Sequence, residues 1–216
     1  MNDVLNNNHV TITGSVNREA EFSHEAHGTK FYIFFVAISR MSKNTDEIPV
    51  MVADHIFDVE KICIGQKIKI HGQFRSYNRY EEERSKLLLS VFAQEVEVLD
   101  IDQRGMETNQ IALEGHICKP PVYRKTPLGR EISDVFMAVN RSYGKSDYIP
   151  CICWGRDARL AADYHVGSHV KVTGRIQSRE YIKKLSDTEE ETRIAYEISV
   201  NKIDLISDTE DRADHI

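Results

Sequence analysis

Asn8-His9-Val10-Thr11-Ile12-Thr13-Gly14 returns 101 residues further on as Asn109-Gln110-Ile111-Ala112-Leu113-Glu114-Gly115. In each copy the aliphatic residues stand two apart, Val10 and Ile12 or Ile111 and Leu113, which is the period of a half-buried strand. The same offset matches Gly28 with Gly129, Phe35 with Phe136, Ala37 with Ala138, Arg40 with Arg141 and Pro49 with Pro150. One residue later in register, GQKIKIHGQFRS at 65–76 overlays GSHVKVTGRIQS at 167–178. A period near 100 residues is too long for a stacked solenoid unit, so each copy is expected to be a complete domain. The first domain then spans 1–104 and the second 105–206, joined near Asp102-Gln103-Arg104-Gly105, with a polar tail at 207–216 that is expected to be disordered.

Both units read as mostly strand. After the opening strand come segments rich in β-branched and aromatic residues at 31–39 and 133–141, then a third strand that ends near Val52 or Trp154. A short helical stretch is expected at 54–63 and at 157–164. Alternating Lys67-Ile68-Lys69-Ile70 or Val170-Lys171-Val172 follows, and a long polar hairpin tip leads to a last strand at 88–99 or 194–206. Three strands, a helix and two strands are the order of an OB-fold, a five-stranded partly open barrel. A sandwich would show more strands and no helix between the third and fourth. The fold class is therefore all-β with one short helix per unit, as two tandem OB-folds.

Composition supports a folded chain. Of 216 residues 41% are hydrophobic and 29% charged, enough to bury a core and unlike a disordered protein. No apolar run approaches the roughly 18 residues of a membrane span, and Met1-Asn2-Asp3 begins neither a basic leader nor a hydrophobic signal, so a soluble intracellular protein is expected. Four cysteines, at 63, 118, 151 and 153, suit a reducing compartment better than a disulfide framework. With 28 Lys and Arg against 34 Asp and Glu the net charge is −6, so a nucleic-acid function would have to rest on a local patch.

Such a patch is legible in the second unit. Period 2 puts Tyr148, Pro150, Ile152 and Trp154 on one face and Ile149, Cys151 and Cys153 on the other. Arg175, Gln177, Arg179 and Tyr181 share a face of the next ribbon. From 119 to 182 there are 11 basic and 6 acidic residues, a net of +5, whereas 18–80 holds 9 and 8, a net of +1. Acidic residues gather instead at the hairpin tips, Glu81 to Glu83 and Asp187 with Glu189 to Glu191, and in the tail at Asp208, Glu210, Asp211 and Asp214.

The stretch 109–181, with AVNRSYGKSDYIPCICWGRDAR at 138–159 and GSHVKVTGRIQSREY at 167–181, resembles the bacterial single-stranded DNA-binding protein family, particularly its tandem-domain forms in Gram-positive bacteria. The first unit resembles it more faintly, through strand pattern and glycines. The resemblance implies that Tyr143, Tyr148, Trp154 and Tyr181 stack on DNA bases, a contact every base can make. It also implies assemblies of four OB-folds, here a homodimer, in the cytoplasm on the nucleoid, with replication or repair proteins as further partners. The tail, ending Asp211-Arg212-Ala213-Asp214-His215-Ile216, departs from the acidic and aromatic tip that recruits such partners in the family.

Phosphate contacts are expected among Arg124 and Arg130 of the turn around Gly129, and Arg141, Arg156, Arg175 and Arg179; Arg159, Lys125 and Lys171 belong to the same set of cations. In the first unit, Met41 to Lys43 lie near the Tyr143 position, Ile48 aligns with Tyr148 and Ala53 with Trp154, so its face is expected to be aromatic-poor. Tyr77 and Tyr80 with Arg75 and Arg79 keep something similar on its hairpin. A core role for Trp154 and a purely hairpin-stabilising role for the tyrosines at 77, 80 and 181 are the competing readings.

Cys151-x-Cys153 with His116 and Cys118 matches no zinc spacing, and no H-E-x-x-H, phosphate loop or nucleophile elbow is present, so no metal, no cofactor and no enzyme are expected. The expected function is sequence-independent binding and protection of single-stranded DNA in replication, recombination or repair. An OB-fold scaffold of a primosome or recombination complex, or an RNA-binding OB protein, is the alternative.

Overall fold

A computed structural model of the chain describes residues 6–81, 84–100, 107–184 and 190–206, with the side chains of 78–86 and 184 outside that description. The expected tail at 207–216, the junction at 102–105 and most of the acidic hairpin tips therefore lie outside the described residues.

Five strands build the first half: β1 (Asn8–Ala26), β2 (Thr29–Ser39), β3 (Thr45–Ala53), β4 (Lys67–Glu81) and β5 (Arg84–Val98). The second repeats them as β6 (Thr108–Lys125), β7 (Glu131–Asn140), β8 (Ser146–Trp154), β9 (His169–Lys184) and β10 (Glu190–Leu205), with helix α1 (Gly155–Ala162) after β8. Each half closes on itself. Strand order β2-β3-β5-β4-β1 returns through a β1–β2 pairing, and β6-β7-β8-β10-β9 through β6–β9. The link between third and fifth strands is parallel and short, Val50 with Val91 and Met51 with Phe92, matched by Cys151 with Ile198 and Ile152 with Ser199. These are two OB-folds.

Alternation along the strands fills each barrel. Val10, Ile12, Phe34, Val36, Ile48, Val50, Ile68 and Ile70 are buried in the first, and Ile111, Leu113, Met137, Val139, Ile149, Cys151, Val170 and Val172 in the second. The repeated glycine has a steric cause. A Cβ on Gly14 would stand 2.5 Å from the Ala37 carbonyl oxygen, and one on Gly115 would collide with the matching Ala138 carbonyl, where the first strand bends across the second. The repeated asparagine is explained by hydrogen bonding. Asn8 donates to Phe74 O at 2.8 Å and accepts from Phe74 N at 2.9 Å, and Asn109 does the same with Ile176 at 2.7 and 2.9 Å. The side-chain amide thus continues the ladder as a peptide would.

One expectation is corrected. The stretch 54–63 forms a turn and a single 3-10 turn at Val59–Lys61, capped by Asp58, instead of a helix. None of those three residues is buried, whereas α1 seats Ala158 and Ala161, three apart, against its barrel.

The barrels are joined edge to edge. β1 and β6 pair antiparallel from Asn8 with Leu113 to Thr13 with Thr108. Two reciprocal clasps flank this seam. Asp147, 1% exposed, is held by Arg141 of its own barrel and accepts Ser76 N of the other at 2.5 Å, while Arg141 donates to Ser76 O at 2.7 Å. In mirror fashion Asp46 is held by Arg40 and accepts Ser178 N at 2.7 Å, while Arg40 donates to Ser178 O at 2.8 Å. Each barrel's long hairpin is thereby anchored to the loop between the second and third strands of the other.

Candidate nucleic-acid interface

Residues on β8 separate as the period of two requires. Ile149, Cys151 and Cys153 are sealed in the core, while Tyr148 and Trp154 are 43% and 37% exposed on the outer side, with Ile152 covered between them. Trp154 donates its indole N–H to Ser199 Oγ of β10 at 3.2 Å, which fixes the ring while leaving a face to solvent. Tyr143 sits on the Ser142–Gly144 turn between β7 and β8 with φ +68°, a left-handed backbone, and is 86% exposed. Tyr181 on β9 is exposed, with the Arg179 guanidinium 5.9 Å from its ring. Tyr143, Tyr148, Trp154 and Tyr181 thus all stand on the outside of the second barrel.

Two further residues belong to this face. Phe136, on the outer side of β7, lies parallel to Tyr148 at 6.3 Å between centroids and 18° between planes, and Lys119 Nζ stands 4.6 Å from the Phe136 ring. Sequence comparison uses Phe136 only as a marker of the repeat. Its pairing with Pro150, next to Ala138 with Tyr148, is what brings it to the shelf. Tyr148 is also tied to the other barrel, since its backbone N–H donates to Ser76 Oγ at 2.8 Å.

The expected cations differ in how far they are already engaged. Arg141 is committed to the clasp with Asp147 and Ser76. Arg124 pairs with Asp134 at 2.8 Å, Arg159 with Glu131, Arg175 with Asp46 at 3.5 Å and Arg179 with Glu197 at 3.6 Å. Arg130, Lys125, Arg156 and Lys171 are exposed. In the first barrel Tyr77 is exposed and Arg75 half-buried, while the side chains of Arg79 and Tyr80 lie outside the described residues.

The first barrel requires two corrections. Ile48 is not the counterpart of Tyr148: it is fully buried, and Glu47, which pairs with Ala37 as Tyr148 pairs with Ala138, occupies that outward place and binds Arg18 at 2.6 Å. Nor is the face poor in rings. Phe31, Phe35 and Phe92 lie on it, supplied by β2 and β5 instead of β3, with the Arg18 guanidinium 4.3 Å from Phe35.

Burial holds the core thiols neutral. Cys153 is pushed up to about 12 by desolvation and by the nearby Asp157 and Asp134, and burial, with the neighbouring Cys153, holds Cys151 well above the usual thiol range. Among the described residues no group of three or more His, Cys, Asp or Glu is arranged to hold a metal, and no helix is long and apolar enough to cross a membrane.

Two closed five-stranded barrels with rings and guanidinium groups on their outer faces define a tandem OB-fold protein. The profile of the Single-strand binding protein family matches residues 108–206. Single-stranded DNA-binding protein B of Bacillus subtilis is 40% identical over 80 residues, which cover 34% of this chain and 71% of that protein. Single-stranded DNA-binding protein A of the same organism is 35% identical over 80 residues, or 46% of its length. The chain therefore belongs to the single-strand binding protein family. The crystal structure of the wild-type single-stranded DNA binding protein from Thermus aquaticus superposes with a TM-score of 0.74 over 93% of both chains at 18% identity, a likeness of fold across both barrels.

Proposed function

We propose that this protein binds single-stranded DNA without sequence preference and protects it during replication, recombination or repair, with the second barrel as the main binding domain. One observation carries the reading: strand alternation forces Tyr148 and Trp154 to the outer side of β8, where Phe136 lies parallel to Tyr148 and Lys119 stands over Phe136, with Tyr143 and Tyr181 also exposed on the same barrel. Rings of this kind accept any base, at about 1–3 kcal/mol per stacked base. The phosphates are met by Arg130 and Arg156, and by Arg124, Arg175 and Arg179 as they exchange carboxylate partners for phosphate; Arg141 keeps the shelf in place. Family membership supports the ligand, and the net charge of +5 over 119–182 supports the site within an acidic chain.

In this reading two chains pair to present four barrels, the protein works on the nucleoid in the cytoplasm, and it has no catalytic role. Competition between polythymidine and polyuridine for a labelled oligothymidylate tests the ligand: polythymidine is expected to displace the label at lower concentration. Preference for polyuridine would favour an RNA-binding role, and failure of both to bind would favour a protein scaffold. Sedimentation velocity is expected to give a dimer, and a monomer at micromolar concentration would contradict the pairing.

A further inference from the structure

A carboxylate lies at the centre of the second barrel's outer face. Glu197 on β10 alternates with the core residues Ile198 and Val200, so it shares the outer side with Ser199. β8 and β10 run parallel there, Cys151 beside Ile198 and Ile152 beside Ser199. That register sets Glu197 level with Pro150, midway between Tyr148 and Trp154 along β8. The indole N–H bonded to Ser199, two residues on, fixes one flank of the position.

An anion at this place is unfavourable on two counts. Glu197 is only 5% exposed, and it stands on a face whose cations are there to meet phosphates. Its compensation is incomplete. Gln177 Nε2 donates to Oε1 at 2.7 Å and Arg179 Nε stands 3.6 Å from that same oxygen, while Oε2 accepts no hydrogen bond among the described residues. The sealed side-chain atoms without a partner among those residues are Asn17 Oδ1 and Ser133 Oγ, so Glu197 Oε2 keeps an opening to the surface. Nor does the barrel need a carboxylate there to close. In the first barrel Ser90 pairs with Arg75 as Glu197 pairs with Gln177, and that barrel closes with a hydroxyl at the same place.

We propose that Glu197 is a base-reading residue: a base stacked beside Tyr148 or Trp154 turns an exocyclic amine toward Oε2, so the second barrel favours cytosine over thymine among the pyrimidines. A carboxylate can only accept hydrogen bonds. Cytosine offers it the N4 amino group where thymine offers O4, another acceptor. Unpaired bases present these edges freely, and stacking still accepts every base, so the preference is superimposed on a general affinity. It deepens the function proposed above and rests on it.

The test titrates the full chain with labelled oligomers of about 10 nucleotides, in buffer alkaline enough to keep cytosine neutral. One oligomer carries thymine, one cytosine, and one 2-pyrimidinone, which is cytosine without its amino group. The parent is expected to bind the cytosine oligomer at least about fivefold more tightly than the pyrimidinone one, the worth of roughly one hydrogen bond. Glu197→Gln keeps the shape and leaves its oxygen to Gln177, so an amide N–H₂ meets the base. The advantage of the amino group is expected to vanish, and the thymine-to-cytosine affinity ratio to rise by about fivefold or more. Glu197→Ser, the residue of the first barrel, is expected to abolish that advantage without favouring thymine. Should this variant fail to fold, the isosteric Glu197→Gln decides. Equal binding of the cytosine and pyrimidinone oligomers by the parent, or affinity ratios unchanged in the folded variants whatever happens to overall affinity, would overturn base reading and leave Glu197 a structural carboxylate. A parent chain that binds none of the three would overturn the function proposed above as well.

Discussion

Alanine at both Tyr148 and Trp154 is expected to weaken oligothymidylate binding by at least about 30-fold, since each lost stack costs about 1 kcal/mol or more. Both rings stand on the outer side of β8, with core contacts left to Ile149, Cys151 and Cys153, so the thermal midpoint is expected to change little. The partial loss in each single variant is expected to be unequal. Trp154 offers the larger ring and is braced by Ser199, while Tyr148 leaves Phe136 behind as a residual shelf. Anisotropy of a labelled oligomer measures this without the tryptophan, and an unchanged affinity in the double variant would remove the shelf from the binding site.

Asp147→Ala is expected to cost about 3–5 kcal/mol, the usual penalty for leaving the partner of a buried ion pair unmatched. For a chain of this size that corresponds to a fall of roughly 6–20 °C in the thermal midpoint, read by calorimetry. The carboxylate is buried, balances Arg141 and caps the Ser76 N–H, so its removal leaves a charge and a donor unmet at the seam between barrels. It also frees Ser76, whose hydroxyl accepts the Tyr148 N–H, so DNA affinity is expected to fall together with stability. A midpoint within about 1 °C of the parent would show that the clasp contributes no more than an exposed ion pair.

Much of the architecture is legible in the residues because its causes are local. The outward set on β8 follows from period-two alternation alone, and the repeated Asn and Gly mark a ladder-extending amide and a point of backbone crossing. What escapes the sequence depends on partners far along the chain. Ile48 aligns with Tyr148 by its flanks, yet the register against Ala37 gives the outward place to Glu47. Phe92 cannot be found by matching positions, because the first barrel exchanges the ring between strands and puts Ala53 where the second has Trp154. Arg40 and Arg141 look alike in the repeat as exposed cations, and only the folded pair of barrels shows each of them gripping the other barrel's hairpin through Ser178 or Ser76. The expected helix at 54–63 fails because no pair of small residues there is seated as Ala158 and Ala161 are.

Trp154 is the sole tryptophan, which makes one titration a direct report on the shelf. Adding oligothymidylate while following its emission at low and at high salt is expected to give strong quenching with saturation, and weaker binding at high salt because each counterion released from the phosphates gains less entropy in a saltier solution. Tight, saturable binding measured in parallel with no change in that emission would contradict the account, because the DNA would then lie away from Trp154.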